Sequence, residues 1–302
     1  MPMYRQLSRR EFLHIAGLAA SATVLGACTP RTLAENEVEV EIEVEAAPTA
    51  VPVQPAPTAT ERAPSLTITI VYNNIAHDAR LDTPWGFGAL IEYGDQQVLF
   101  DTGGDSPTLL ANMEILGHDP STIQKVVLSH IHDDHIGGLY GLLETGVRPT
   151  VYVPPSFPYS LQSSVGEITD LVEVTPGQEI AEGMLTTGEM PTPDYASLVE
   201  QSLVIKSRGG LVVITGCAHP GIVEIVRRAK ELSDEPVFLA MGGFHLGDRT
   251  EGQIAAILAD LRQLEVQQVA PSHCTGSDAI VMFAQEYADR FIRSGVGTVL
   301  TI

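Results

Sequence analysis

The feature that most constrains the fold is a series of short apolar segments, each followed within a few residues by histidine, aspartate or cysteine. The segment KVVLS at 125–129 leads into HIHDDHIGG at 130–138, which holds three histidines and two aspartates. Apolar runs of this length, bounded by turn residues, are typical of buried strands. Because such segments alternate with helical stretches, the pattern predicts a layered α/β domain with a polar site along one sheet edge.

The same arrangement recurs along the chain, so that six of its nine histidines directly follow a strand-like run. Loops at the ends of strands are where functional side chains concentrate. The ligand-type residues in these positions are Asp101, His130, His132, Asp134, His135, Cys217, His219, His245, His273 and Cys274.

The cluster at 130–135 indicates a metal centre. A His-x-His pair alone is more often a surface turn than a ligand pair. Four ligand-type residues in the pattern His-x-His-x-Asp-His, between a strand and a Gly-Gly pair, are far more specific, and imidazole and carboxylate both bind divalent ions. His130 and His132 can reach one ion, and Asp134 and His135 can reach a second.

Preceded by FDTG at 100–103, this motif resembles that of the metallo-β-lactamase superfamily. The resemblance covers essentially all of residues 66–302. It implies a four-layer αβ/βα sandwich that holds one or two divalent ions, Zn²⁺ foremost, with iron or manganese as alternatives. It also implies that Asp101 orients a ligand histidine from outside the coordination shell, and that Asp134 both binds metal and steers the nucleophile.

The resemblance leaves the middle ligands open. Family sites are completed by a later histidine, a bridging aspartate and a last histidine, and His273 in PSHCTG fits the last position. Cys217 and His219 follow the hairpin that usually ends at the aspartate, and Glu189 stands near where the later histidine is expected. We predict His219 as a ligand, with Cys217 or Glu189 as substitutes, since thiolate and carboxylate both bind zinc.

Three further residues have alternative interpretations. His245 could be a ligand, a catalytic contact to substrate or a hydrogen-bonded loop histidine. Cys217 and Cys274 could pair in an exported protein or lie beside the metal.

The segments TGCAHPG, GGFHL and HCTG together resemble one branch of the superfamily, the 7,8-dihydropterin-6-yl-methyl-4-(β-D-ribofuranosyl)aminobenzene 5'-phosphate synthase-like proteins. That branch implies a pterin–arylamine condensation. The leading hypothesis is nevertheless a hydrolase of small esters, lactones or phosphoesters; a synthase-like transferase and a non-catalytic metal-binding lipoprotein are the alternatives.

Several activities of the superfamily are disfavoured. His135 directly after Asp134 departs from zinc β-lactamases, and His132 stands where the di-iron oxygen reductases carry glutamate. The formal net charge of -21 opposes nucleic-acid binding, because an acidic surface repels phosphate backbones. A small-molecule substrate is therefore expected.

The N-terminus predicts export. Residues 8–13 (SRREFL) resemble a twin-arginine signal, and LGAC at 25–28 resembles a lipobox in which Cys28 would be lipidated and anchored to a membrane. An ordinary signal peptide with a chance cysteine is the alternative. Residues 29–65, with alternating glutamates and then a Pro/Ala/Thr tract, predict a disordered tether. The domain is expected at 66–302.

Overall fold

The computed structural model describes residues 63–193 and 195–302, with nothing stated of the side chains of residues 195 and 196. The predicted signal at 1–28, Cys28 and nearly all of the predicted tether lie outside the described residues. Within the described ranges, no helix has both the length and the apolar character that a bilayer span requires.

The first sheet has seven strands in the order β15-β1-β2-β3-β4-β5-β6. Strands β3 to β6 run parallel to one another, whereas β15, β1, β2 and β3 are joined by antiparallel pairings. The strands are β1 (Leu66–Asn73), β2 (Phe87–Tyr93), β3 (Gln96–Phe100), β4 (Lys125–Val127), β5 (Thr150–Val153), β6 (Leu171–Glu173) and β15 (Val299–Thr301).

The second sheet has six strands in the order β14-β13-β12-β11-β8-β7, of which β12, β13 and β14 are parallel. A separate two-stranded sheet pairs β9 with β10. These strands are β7 (Glu179–Ala181), β8 (Met184–Thr186), β9 (Met190–Thr192), β10 (Tyr195–Glu200), β11 (Leu203–Ser207), β12 (Gly210–Thr215), β13 (Val237–Gly243) and β14 (Gln268–Ser272).

Seven α-helices occur in the described part of the chain, and the first of them has clear signals at both ends. The first begins where the Asp105 side chain accepts a hydrogen bond from the Thr108 amide at 2.8 Å, and it ends at Gly117 with a φ of 81°. The helices are α1 (Ser106–Leu116), α2 (Asp133–Ile136), α3 (Leu139–Glu144), α4 (Tyr159–Gly166), α5 (Ile222–Leu232), α6 (Glu251–Gln263) and α7 (Ser277–Tyr287).

Three buried clusters show how these elements are layered. One lies between the two sheets and includes Phe100 and Met241. A second joins the outer face of the first sheet to α1 and α3, through residues such as Leu109. A third joins the outer face of the second sheet to α5, α6 and α7, through residues such as Ile225 and Phe283. The order is therefore helix, sheet, sheet, helix, and the predicted layered α/β fold is confirmed.

Backbone segments near the 130–138 loop pack so closely that one position requires glycine. A Cβ built on Gly137 would lie 2.1 Å from the carbonyl oxygen of Gly104. The φ of Gly137 is -63°, so alanine would be excluded by this contact and not by its own backbone preference. The close approach sets the position of the short helix α2, which carries Asp134 and His135.

We predict that Gly137→Ala lowers the free energy of unfolding by about 1 to 3 kcal/mol, the usual cost of overpacking. Gly252 in α6 has no neighbouring atom within 4 Å of the point that a Cβ would occupy, so Gly252→Ala should raise stability by about 0.4 to 1 kcal/mol. Urea unfolding of both variants checks the pair, and equal effects would contradict the packing argument.

Candidate metal centre

The loops that follow five strands meet at one edge of the sandwich. These strands are β3 and β4 of the first sheet and β12, β13 and β14 of the second. Strand β3 is parallel to β4, and β12, β13 and β14 are parallel to one another. The carboxyl ends of parallel strands point to the same edge, so residues distant in the chain come together.

One group of possible ligands consists of three histidines, His130, His132 and His219, whose ligand atoms all lie within 4.8 Å of one another. Nε2 of His130 lies 3.0 Å from Nδ1 of His132. The ring of His219 has its centroid 4.9 Å from that of His130 and 5.1 Å from that of His132. Three imidazoles converging in this way suit a single divalent ion.

A second group consists of Asp134, His135 and His273. The Oδ2 atom of Asp134 lies 3.6 Å from Nε2 of His135 and 3.3 Å from Nε2 of His273. One carboxylate and two imidazoles therefore converge on a second position.

Cys217 lies between these two groups. Its Sγ is 3.2 Å from Nε2 of His135, and it also forms a group with His130 and His135 in which all ligand atoms lie within 4.8 Å. The thiol thus stands where a single ligand could contact ions in both positions.

The remaining candidates are placed differently. His245 packs beside His219 with ring centroids 4.3 Å apart, and it forms a group with Cys217 and Cys274. Both cysteines are buried and neither is in a disulfide. Glu189 is not among the ligand groups found in the described residues; its carboxylate accepts a hydrogen bond from the backbone amide of Ser156 at 3.0 Å.

Asp101 is fully buried and orients histidines of both groups. Its Oδ2 accepts hydrogen bonds from Nδ1 of His135 and from the Ser129 hydroxyl, both at 2.7 Å. Because that hydroxyl donates to Asp101, its oxygen accepts from Nδ1 of His130, 2.9 Å away. The proton of each ring is thereby held on Nδ1, which leaves the Nε2 atoms of His130 and His135 free to bind a metal ion.

Glu200, at the end of β10, is a second buried carboxylate, which sequence reasoning missed. Its Oε1 accepts from the backbone amides of Gly216, Cys217 and Ala218 at 3.1, 3.0 and 2.8 Å. Its Oε2 accepts from the amide of His219 at 2.8 Å. One side chain therefore holds the whole loop that carries Cys217 and His219.

The loop residues are held in unfavourable backbone conformations. Six non-glycine residues of the described chain have positive φ, and four of them lie in these strand-end loops. Left-handed backbone costs about 1 to 2 kcal/mol for a residue with a Cβ, and such strain collects at functional sites. The four residues are Asp101, Ala218, His245 and His273, with φ of 58°, 58°, 49° and 53°.

Burial keeps several of the histidines neutral. It lowers the pKa of His130 well below its ordinary value and that of His219 to about 3, and repulsion from neighbouring histidines adds to the effect. Burial also opposes the charge on His135, but Asp101 outweighs it and raises the pKa of that ring. Burial opposes the charge on Asp134 as well, but His273 and His135 hold the pKa of that carboxyl well below its usual range.

These residues fit a metal. Buried Nε2 of His219 has no hydrogen-bond partner among the described residues, and a buried polar atom without a partner is costly. Neutral imidazoles, an ionised carboxylate and a thiol are the donors that zinc and similar divalent ions take.

Comparison with known families agrees with the fold. The profile of the metallo-beta-lactamase superfamily matches residues 88–249, more than half of the chain. The chain therefore belongs to the metallo-β-lactamase superfamily, as its motifs predicted.

Two curated proteins of the archaeon Methanocaldococcus jannaschii are similar along most of their length. The 7,8-dihydropterin-6-methyl-4-(beta-D-ribofuranosyl)-aminobenzene-5'-phosphate synthase is 28% identical over 247 residues, which cover 68% of this chain and 84% of the synthase. An uncharacterized protein is 26% identical over 263 residues, which cover 78% of this chain and 100% of that protein.

Solved structures show the same fold. Tm1679, a metal-dependent hydrolase of the beta-lactamase superfamily, has 26% identity and a TM-score of 0.66, and the match covers 78% of this chain and 99% of Tm1679. YhfI from Bacillus subtilis shares the fold with 15% identity and a TM-score of 0.58, covering 79% of this chain and 99% of YhfI.

We predict that Glu200→Ala lowers the free energy of unfolding by about 3 kcal/mol and weakens metal binding, because four amides of the ligand loop lose their acceptor. Glu200→Gln should be intermediate, since an amide NH₂ replaces one accepting oxygen. Thermal unfolding and metal content measure both effects. Glu114→Ala, at an exposed glutamate of α1, is the control and should change stability by less than about 0.5 kcal/mol. Wild-type stability and metal content in Glu200→Ala would contradict the role given to this carboxylate.

Proposed function

We propose that this chain is a metal-dependent hydrolase of a small ester, lactone or phosphoester. The observation that carries the proposal is the pair of ligand groups, His130/His132/His219 and Asp134/His135/His273, with Cys217 between them. Divalent ions held there, whether zinc, iron or manganese, would activate a water molecule as nucleophile and polarise the oxygen of the bond to be broken.

A cleft beside the first ligand group supports a small-molecule substrate. Its volume is about 460 Å³, within the range usual for ligand pockets. Its walls mix apolar and polar side chains, so that it can hold an apolar body while presenting polar groups to the reacting end. The lining residues are Ile131, His132, Ser197, Leu198, His219 and His245.

The protein groups have distinct tasks in this reaction. Asp101 keeps the protons of His130 and His135 on Nδ1, by way of Ser129 for His130, so that both rings present Nε2 to the cluster. Asp134 is held ionised and its side chain is 21% exposed, so it can both bind a cation and orient a water molecule at the solvent edge. His245 lines the cleft next to His219 and can contact the substrate.

A synthase-like transferase is the second candidate, because of the 28% identity to the archaeal phosphate synthase. The same ligand groups suit either reaction, since in both a nucleophile would attack beside a polarised oxygen. A non-catalytic metal-binding lipoprotein is the third. Under the synthase hypothesis a pterin would bind tightly while generic esters stay intact; under the third, metal would be present at full occupancy without turnover.

We predict that the purified chain, loaded with zinc, iron or manganese, hydrolyses members of a panel of nitrophenyl esters, lactones and phosphodiesters. His130→Ala should lower the rate by about 100-fold or more and reduce bound metal, because even residues that only support metal ligands are worth about 10- to 100-fold. His77→Ala, at an exposed histidine, is the matched control and should keep both. Absence of metal in the unaltered chain would refute the proposal; metal without any turnover would favour the third candidate.

We also propose that the protein is exported and held at a membrane through Cys28, with the acidic tract at 29–65 as tether. The twin arginines, the LGAC segment and the change of composition after Cys28 support this proposal. An exported location also fits a hydrolase better than an enzyme of cytoplasmic cofactor synthesis.

Cys28→Ser should move the protein from the membrane fraction to the soluble fraction while export continues. Replacing Arg9 and Arg10 by lysine should leave the protein unexported. Cell fractionation with an antibody to the domain measures both, and membrane retention of Cys28→Ser would contradict the lipid anchor.

A further inference from the structure

Two thiols and an imidazole converge next to the ligand groups described above. Sγ of Cys217, Sγ of Cys274 and a ring nitrogen of His245 all lie within 4.8 Å of one another. Cys217 is 3% exposed and Cys274 is 9% exposed. Neither Cys274 nor His245 belongs to the groups built around His130 and Asp134 among the described residues.

The surrounding backbone is shaped to hold these side chains. A Cβ on Gly243, two residues before His245 in the chain, would lie 2.7 Å from Sγ of Cys274 and 3.2 Å from Cα of Cys217. Only glycine leaves room for the thiol of Cys274 over the Cys217 loop, where its Sγ is 3.7 Å from the Cys217 carbonyl oxygen. His245 itself is held at a φ of 49°.

The imidazole also has an unused ligand atom. Buried Nδ1 of His245 has no hydrogen-bond partner among the described residues. Buried polar atoms are normally paired, so an unpaired ring nitrogen in an imidazole that also belongs to this group points to a ligand.

The donor set selects the kind of ion. Thiolates are soft ligands that favour Zn²⁺, Cd²⁺ or Cu⁺, whereas carboxylates favour harder ions. Two cysteines and one histidine are also a known ligand set for zinc, in which the fourth position stays open.

We propose that Cys217, His245 and Cys274 form a separate binding site for one soft metal ion. This site adjoins the two ligand groups of the proposed hydrolase site at Cys217. Cys217 is common to this site and to the ligand groups, because its Sγ also lies 3.2 Å from Nε2 of His135. On binding, the two thiols release their protons to solvent and the ion takes two sulfur ligands and one nitrogen.

The test uses the full chain in a Cys28→Ser background, so that Cys217 and Cys274 are the only thiols. The reduced, metal-free protein is titrated with Cd²⁺, and both bound cadmium and the near-ultraviolet thiolate-to-metal absorbance are measured. The proposal predicts that one bound equivalent and most of the thiolate absorbance require both cysteines. Cys274→Ser should lose that equivalent and most of the absorbance, whereas His130→Ala should lose cadmium from the histidine groups and keep the absorbance.

Folding is monitored by near-ultraviolet circular dichroism, and His245→Gln is a second variant that removes the same position if Cys274→Ser does not fold. Undiminished absorbance in both Cys274→Ser and His245→Gln would overturn the proposal. Cys217 would then bind cadmium only together with the histidine ligand groups. Loss of free thiols without cadmium uptake would also overturn it, in favour of a Cys217–Cys274 disulfide. The His130→Ala variant distinguishes the two proposals, because it tests the histidine groups of the proposed hydrolase site while leaving Cys217, His245 and Cys274 in place.

Discussion

The buried carboxylate of Asp101 is the interaction on which the site depends. It accepts hydrogen bonds from the amide and hydroxyl of Ser129 and from His135, and through Ser129 it also sets the ring of His130. It also lies against the second sheet, since a Cβ on Gly216 would be 2.9 Å from Asp101 Oδ2 and 2.1 Å from Ser129 Oγ. One side chain thus links the orientation of ligands to the contact between the two sheets.

Glu200 has the corresponding role for the second sheet. It holds four consecutive amides of the 216–219 loop, and burial raises its pKa to about 7, although the amides of His219 and Ala218 favour the charged form. Two buried carboxylates, one for each sheet, are a costly arrangement for an isolated domain. A bound cation would offset part of that cost, which explains why acidic groups and neutral histidines are buried together.

Much of the site could be predicted from local sequence. The His-x-His-x-Asp-His motif follows an apolar strand, and the loops with His219 and His273 follow others, so the convergence of these residues was expected from parallel strands meeting at an edge. Glu189 and Glu200 show the limit of this reasoning. Glu189 directly precedes β9 and Glu200 ends β10, but only the fold reveals that Glu189 contacts Ser156 while Glu200 contacts the ligand loop.

The sequence by itself determined the layered α/β class, the superfamily and the residue types available for metal binding, because strand periodicity and ligand motifs are local properties of the chain. Only the tertiary structure decided how the ligands group. His130 is paired with His219 across 89 positions, and Cys217 is placed among two histidine groups and beside Cys274, by the packing of one sheet on the other. Contacts between sheets depend on the whole core, and no short segment of sequence encodes them.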